Sequence, residues 1–213
     1  ITVLAFAIFA DEPVDVVILE VGIGGSWDST NVADGIVSVV APVGLDHTDM
    51  LGDTLAEIAT EKAGIIKPDG YLISAAQDPE VATILLDTAR KQNAKYAFEG
   101  VEFGVVERAR AVGGQLLTLR GLAGEYPDIE LPLHGEHQGQ NASLALAAVE
   151  AFLGGDRALA RDVVLAGFAQ VRSPGRLEMI RSDPLVVLDA SHNPHGVRAA
   201  SPAFKEAFEL SHV

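Results

Sequence analysis

Residues 36–75 (IVSVVAPVGLDHTDMLGDTLAEIATEKAGIIKPDGYLISA) contain the pattern that decides the fold. An apolar run at 36–45 is followed by a helical stretch at 53–66 and by a second apolar run at 71–75. Asp53 is placed to cap the helix. The face of the helix that turns toward the core consists of Leu55, Ile58, Ala59 and Ala63. Because short continuous apolar runs are typical of strands buried on both faces, this strand–helix–strand unit predicts a parallel sheet covered by helices.

The same alternation continues on both sides of this unit. Residues 14–21 (VDVVILEV) predict another buried strand, ending at Glu20. Further predicted elements are a helix at 79–92, strands at 96–98, 103–106, 115–119 and 129–133, helices at 137–153 and 157–169, and strands at 177–180 and 185–189. The alternation indicates an α/β protein with a parallel sheet and helices on both faces. Ser173-Pro174-Gly175 predicts a linker, which divides the chain into a domain at 1–172 and the start of a second α/β domain at 173–213.

Composition and charge exclude several classes of function. The 213 residues contain no cysteine, so a disulfide scaffold, a thiolate zinc site and cysteine catalysis are excluded. The net charge of −15 repels phosphate backbones, so we expect no nucleic-acid partner, although a small anion such as ATP remains compatible if amides or a metal offset the field. No apolar run approaches the ~20 residues needed to span a bilayer. We expect a cytoplasmic monomer that acts on small molecules.

Polar side chains follow the predicted strands at their carboxyl ends, where ligands bind in open parallel sheets. Glu20 closes one strand, Asp46 and His47 follow the next, and Asp189 closes the last. If the strands at 14–21 and 36–45 are neighbours, Glu20 and His47 lie at one edge and suit Mg²⁺ or Mn²⁺. The alternative is that Glu20 is simply solvated and His47 hydrogen-bonds within a turn.

The loop after the first predicted strand and the helix at 53–66 carry the next candidates. The glycines of this loop, at 22, 24 and 25, do not have the dinucleotide-binding spacing, so they indicate a tight loop. The residues that follow, Trp27, Asp28, Thr30 and Asn31, suit a flat ligand, although Trp27 packing under its own loop explains the tryptophan equally well. Lys62 lies near the end of the helix, where a cation is favourable. Alternatively, a partly desolvated lysine captures CO₂ and becomes a carbamate that holds a metal.

Two further groups lie in the second half of the chain. His137 and Asn141 are four residues apart at the start of a helix, so they share a face that would flank a purine or simply fix the helix entry. Arg176 follows the predicted linker, where it would reach a phosphate or form a surface ion pair. Residues 189–194 (DASHNP) form a polar strand-to-helix loop that includes His192.

Taken in order, five stretches resemble the folylpolyglutamate synthase/dihydrofolate synthase family of the Mur ligase superfamily. They are EVGIGGSWDSTNV (20–32), LDHTDMLGDTLAEIATEKAGIIKP (45–68), HGEHQGQNASLALAA (134–148), SPGRLE (173–178) and LDASHNPHG (188–196). The resemblance implies a Mur-ligase-like central ATPase domain followed by the start of a Rossmann-like, glutamate-ligating C-terminal domain. It also implies that MgATP phosphorylates a pteroate or folate carboxylate and that L-glutamate attacks the acyl phosphate.

The resemblance implies a role for each candidate residue. Glu20 and His47 would hold Mg²⁺, and carbamylated Lys62 would anchor a second cation near the γ-phosphate, with a monovalent cation also compatible. The nucleotide would be contacted by His137, by Asn141 on the adenine side, by Arg176 at the phosphates and by Asp189 at the ribose. His192 would lie where glutamate binds, and Trp27, Asp28, Thr30 and Asn31 would contact the folate or dihydropteroate.

Four departures from the family pattern accompany the match. No G-K-[S/T] phosphate loop occurs in these residues, and the family's C-terminal domain would continue past Val213. Ser26 replaces a usually basic residue, and Pro202 is expected to interrupt the last helix. We therefore expect a truncated ligase that folds but does not turn over alone. The alternatives are a non-catalytic nucleotide- or folate-binding remnant and a peptidoglycan Mur ligase with a UDP-muramyl substrate.

Overall fold

The computed structural model describes residues 1–12 and 14–208. Its helices are α1 (Thr2–Asp11), α2 (Thr48–Leu51), α3 (Leu55–Ala63), α4 (Pro79–Lys91), α5 (Glu136–Phe152), α6 (Arg161–Ala169) and α7 (Pro194–Ala207), with a 3-10 turn at Ser29–Val32. Its strands are β1 (Val37–Val40), β2 (Tyr71–Ser74), β3 (Lys95–Phe98), β4 (Gly104–Ala111), β5 (Gly114–Arg120), β6 (Glu125–Leu131), β7 (Glu178–Ser182) and β8 (Leu185–Leu188). None of the helices within these ranges is long and apolar enough to cross a membrane.

The first sheet is parallel, in the order β1-β2-β3. Side chains alternate between the two faces of a strand, so Leu72 of β2 packs with α3 and α4 on one face. Ile73 packs against α5 on the other face, in a cluster with Leu144 and Ala147. The predicted α/β fold, with a parallel sheet covered on both faces, is confirmed.

Helix α5 lies between this sheet and a second, antiparallel sheet with the order β4-β5-β6. Leu117 and Ile129 of the second sheet pack against Ala142 and Leu146 of α5. The middle of α5 therefore packs against both sheets. The chain then continues through α6 to a turn in which Arg176 N donates to Ser173 O at 3.2 Å. Beyond this turn, β7 and β8 form an antiparallel hairpin that leads into α7.

The predicted strand at 14–21 is wrong. These residues form no strand, and Val14, Val16, Val17 and Ile18 are exposed. A strand needs a neighbour for its backbone hydrogen bonds, and within the described residues β1 pairs with β2 alone. The sheet therefore does not place Glu20 and His47 at the ends of adjacent strands.

Two details near helix ends also differ from expectation. Helix α3 is capped by Thr54 rather than Asp53: Glu57 N donates to Thr54 Oγ1 at 3.2 Å, and Thr54 N donates to Glu57 Oε2 at 3.1 Å. Pro202 does not interrupt α7, which continues through it to Ala207. Pro202 lies on an exposed position of this helix.

Candidate functional site

The loop at residues 22–31 is shaped by Asp28. Its Oδ2 accepts hydrogen bonds from Gly22 N at 3.1 Å and Ile23 N at 3.2 Å. Its Oδ1 accepts from Thr30 Oγ1 at 2.5 Å and Thr30 N at 2.8 Å. The hydroxyl of Thr30, followed by the backbone amides, holds the pKa of Asp28 below its usual value. Asp28 and Thr30 therefore use much of their hydrogen-bonding capacity within the loop.

The same loop docks on the end of α3. Ser26 N donates to Glu61 O at 3.0 Å, and Asn31 Nδ2 donates to Gly64 O at 3.1 Å. Gly25 allows this approach, because a Cβ there would lie 2.6 Å from Glu61 O and 3.0 Å from Lys62 Cα. The docking brings the candidate substrate loop beside the backbone of Lys62. The sequence alone does not predict that these two parts of the chain are in contact.

Trp27 lies on the surface of the loop. Its side chain is 54% exposed, so the interpretation that it packs under its own loop is wrong. It borders a cleft of about 350 Å³ that is also lined by Met50, Leu51, Ala56, Glu57, Thr60 and Glu61. An exposed indole beside a cleft suits stacking against a flat ring.

The three predicted metal-site residues lie on separate elements. Glu20 is exposed before the 22–31 loop, and Lys62 is partly buried in the last turn of α3. His47 is the residue directly before α2 and has a left-handed backbone, with φ 49° and ψ 41°. Within the described ranges, no three His, Asp or Glu side chains converge as a metal cluster. A carboxylate and an imidazole fit Mg²⁺ only as partial ligands, because this ion usually keeps waters and substrate phosphate oxygens.

Asp46 joins the loop that precedes α2 to the loop that precedes α7. Its Oδ2 accepts from Asn193 Nδ2 at 2.6 Å, and its Oδ1 accepts from His47 N at 2.9 Å. Burial opposes ionisation, but these hydrogen bonds and the nearby His47 and His192 lower the pKa of Asp46. Asn193 also caps α7, because its Oδ1 accepts from Gly196 N at 2.7 Å. Local sequence patterns do not reveal this link between Asp46 and Asn193, since the two residues are 147 positions apart.

His137, Arg176 and Asp189 interact electrostatically, although they come from α5, the linker turn and the end of β8. Asp189 accepts from Leu177 N at 3.0 Å and from Ser191 N at 2.9 Å. Burial alone would raise the pKa of Asp189. The hydrogen bonds from Ser191 and Leu177, together with the charge of Arg176, outweigh burial, so the pKa lies below its usual value. Burial lowers the pKa of His137, partly opposed by Asp189. The partly buried imidazole of His137 therefore lies within electrostatic range of the Asp189 carboxylate and the Arg176 guanidinium.

Two other predicted residues lie near this group. Asn141 is exposed one turn after His137, and its Nδ2 donates to Gln138 Oε1 at 3.3 Å. His192 is exposed, with Nδ1 3.0 Å from Ala190 O. The site thus brings α5, the linker turn and the loop after β8 together, while the 22–31 loop and Lys62 form a second group.

Residues 2–149 match the Mur ligase middle domain. The chain belongs to this family, and the resemblance in its ordered motifs is confirmed.

Its similarity to particular relatives is high. It is 51% identical over 218 residues to the dihydrofolate synthase/folylpolyglutamate synthase of Mycobacterium tuberculosis, and the match covers 99% of this chain and 45% of that protein. It superposes on the M. tuberculosis folylpolyglutamate synthase complexed with ADP and AMPPCP with a TM-score of 0.94 and 52% identity, covering 98% of this chain and 48% of that one. A folylpolyglutamate synthase complexed with AMPPCP and folate gives a TM-score of 0.94 at 34% identity, covering 98% of this chain and 51% of the other. The chain spans about half the length of these relatives.

Proposed function

We propose that this chain is part of an ATP-dependent ligase that joins L-glutamate to a carboxylate of folate or dihydropteroate. The observation that carries the proposal is the similarity of the fold to a synthase complexed with ADP and AMPPCP, at a TM-score of 0.94 and 52% identity. The position of His137 within electrostatic range of Arg176 and Asp189 supports it. In this proposal Arg176 contacts the phosphates, Asp189 the ribose and Asn141 the adenine side, with His137 beside them. A guanidinium is well suited to phosphate oxygens, and a carboxylate accepts hydrogen bonds from hydroxyl groups.

The proposed reaction has two bond exchanges. An oxygen of the folate or dihydropteroate carboxylate attacks the γ-phosphorus of ATP, and ADP leaves. The amine of glutamate then attacks the acyl carbon, loses a proton and displaces inorganic phosphate. Such a phosphoryl transfer depends mainly on positioning and on neutralising charge. We place His192 near the incoming glutamate, supported by its position in the loop that Asn193 joins to Asp46.

Glu20 and His47 are the proposed Mg²⁺ ligands, and Lys62 is the proposed carbamate that holds a second cation. Mg²⁺, or Mn²⁺ in its place, would neutralise charge on the transferred phosphoryl group when bound. The support for Lys62 is its partly buried position and the close approach of Gly25 to its backbone. A monovalent cation is part of the proposal as an additional ion.

The folate or dihydropteroate is proposed to contact the 22–31 loop. Trp27 is the proposed stacking residue, supported by its exposed indole at the cleft. Asp28, Thr30 and Asn31 would act mainly by holding the loop in shape, supported by their hydrogen bonds within it and to α3. The domain boundary between residues 172 and 173, a monomeric state and a cytoplasmic location also stay predictions.

An ADP-release assay on the natural gene product that contains these residues tests the proposal. The acceptor panel contains folate, dihydropteroate and a UDP-muramyl substrate, each with and without glutamate. We expect ADP release that requires glutamate together with folate or dihydropteroate. ATP binding with no ADP release under any condition would indicate a non-catalytic remnant. Release with the UDP-muramyl substrate alone would indicate a peptidoglycan ligase.

A further inference from the structure

Arg108 on β4 forms a bidentate ion pair with Glu206 near the end of α7. Its Nη1 donates to Glu206 Oε1 at 3.0 Å and its Nη2 to Glu206 Oε2 at 2.6 Å. The two side chains are 22% and 33% exposed, so water screens the pair less than a surface pair. The fork of a guanidinium fixes direction as well as distance. This pair therefore restricts where α7 lies on the antiparallel sheet.

The contacts of Arg108 continue inward to the start of α5. Arg108 Nε donates to Gln115 Oε1 at 2.7 Å, and Gln115 is only 2% exposed. Gln115 Nε2 in turn donates to Leu133 O and Gly135 O, each at 3.0 Å. Gly135 is the residue directly before α5, so one chain of hydrogen bonds joins Glu206 of α7 to the helix start that carries His137.

Helix α7 also packs directly on this helix start. A Cβ at Gly135 would lie 2.6 Å from Ala203 Cβ and 2.7 Å from His137 Cε1, so only glycine permits the observed approach. Arg110 Nη1 adds a hydrogen bond to Glu206 O at 3.1 Å. The end of α7 is thus held against the sheet, and its middle is held against the first turn of α5.

We propose that Arg108 is a positioning residue for the nucleotide site. Its ion pair with Glu206 holds α7 at a fixed position relative to the start of α5. Arg176 and Asp189 belong to the segment that ends in α7, whereas His137 and Asn141 belong to α5. Without the Arg108–Glu206 pair, these two sets would keep their own local structure but lose their fixed relative position. The inference rests on the proposed function, because it assigns a purpose to the same nucleotide site.

The first test is a double-mutant cycle with Arg108→Gln, Glu206→Gln and the double variant in the natural gene product. Each single variant is expected to raise the KM for ATP about 10-fold, and the double variant by about the same factor, because contacting partners are not additive. The value of kcat at saturating ATP should change by less than about 2-fold, since neither side chain contacts the reacting atoms. The matched control is Arg161→Gln, which removes an exposed ion pair of 2.7 Å with Asp128 and should leave the KM unchanged.

The second test measures position without using activity. Val112→Cys in the β4–β5 turn and Arg198→Cys on α7 provide two exposed attachment points for spin labels. These 213 residues contain no cysteine, and any cysteine elsewhere in the natural gene product is first replaced by serine. The inter-label distance distribution should be narrow in this background and broader when Glu206→Gln is added.

The outcomes separate the inference from the function on which it rests. If the unmodified protein binds ATP but Glu206→Gln leaves either the KM for ATP or the distance distribution unchanged, the positioning role of Arg108 is overturned and the proposed function is unaffected. If the unmodified protein neither binds nor hydrolyses ATP, the proposed function is overturned, and the inference with it.

Discussion

Several residues next to the candidate site have left-handed backbone conformations. His47 has a φ of 49° and Leu177 a φ of 47°, and Gly135 has a φ of 96°. Non-glycine residues seldom adopt this region, and such conformations persist only where the surrounding structure enforces them. Leu177 is 5% exposed and its N donates to Asp189, so its packing and its hydrogen bond explain why the conformation is kept. At this scale, the site depends on backbone positions that no periodic pattern in the sequence reveals.

Gly135→Ala should weaken both folding and nucleotide binding. The backbone of Gly135, with φ 96° and ψ 149°, alone disfavours alanine by about 1–3 kcal/mol, and the new Cβ would also contact Ala203 and His137. Urea unfolding and the Kd for AMPPCP measure the two effects. Gly113→Ala is the control, because Gly113 has a φ of 77° with no atom within 4 Å of the added Cβ. Equal AMPPCP affinity in the two variants would contradict the close packing of α7 on α5.

Lys62→Ala should lower turnover by about 10–100-fold, the range typical when support of a metal site is lost. If the lysine is carbamylated, added short carboxylates should restore part of the activity, and removal of CO₂ should lower the activity of the unmodified enzyme. Initial rates of ADP release provide the measurement, with Lys91→Ala at the exposed end of α4 as the control. Unchanged turnover would contradict the proposed carbamate and would indicate that Lys62 is only a favourable cation at the end of α3.

Tyr126 should make stability depend on pH in the alkaline range. Its OH donates to Glu150 Oε1 at 2.6 Å and accepts from Leu159 N at 2.7 Å. Burial, with the help of Glu150, raises the pKa of Tyr126 to about 12. Because the folded pKa is higher than the unfolded value of about 10, this stabilisation is complete below pH 10 and is lost as the pH rises to about 12.

The free energy of unfolding measured at several pH values tests this expectation. Tyr126→Phe should cost about 1–3 kcal/mol near neutral pH, because Glu150 and Leu159 N lose a partner. It should also reduce the fall in stability between pH 10 and 12. Tyr96→Phe, at a ring that is 39% exposed, is the control. An alkaline profile identical in the Tyr126 variant and the unmodified protein would contradict the assignment.

At the scale of elements, local periodicity predicted most helices and strands, whereas pairing and capping needed the structure. The apolar run at 14–21 has the composition of a strand but no strand beside it within the described residues. Asp53 and Thr54 are both favourable N-cap residues. The structure shows that Thr54 is the cap, because its hydroxyl accepts the hydrogen bond from Glu57 N. Composition predicts what an element favours, but a strand also needs a partner and a cap needs the right geometry.

Thr54→Ala should destabilise the protein by about 1 kcal/mol, the usual value for a lost N-cap. The variant removes the hydroxyl that accepts from Glu57 N and donates to Glu57 Oε2 at 2.9 Å. Asp53→Ala should change the free energy of unfolding by much less, because its side chain does not cap α3. Urea unfolding of the two variants decides which residue is the cap, and a larger loss for Asp53→Ala would contradict the observed capping box.

At the scale of the whole molecule, α5 connects the parts of the site. It packs between the two sheets, and its first turn meets α7. The ordered motifs indicated the family and the set of candidate residues. They could not predict which residues meet, because Asp46 and Asn193 are 147 positions apart and Arg108 and Glu206 are 98 apart. Contacts at such separations depend on the packing of complete elements, which local patterns do not encode.

The most direct test of the central claim follows one oxygen atom through the reaction. The natural gene product is given ATP, glutamate and a folate or dihydropteroate whose reacting carboxylate carries ¹⁸O. If the carboxylate attacks the γ-phosphorus and glutamate then displaces phosphate, one carboxylate oxygen leaves with the phosphate. Mass spectrometry should therefore find ¹⁸O in the inorganic phosphate, in proportion to the glutamate ligated. Ligated product accompanied by unlabelled phosphate, or no ligated product, would contradict the claim.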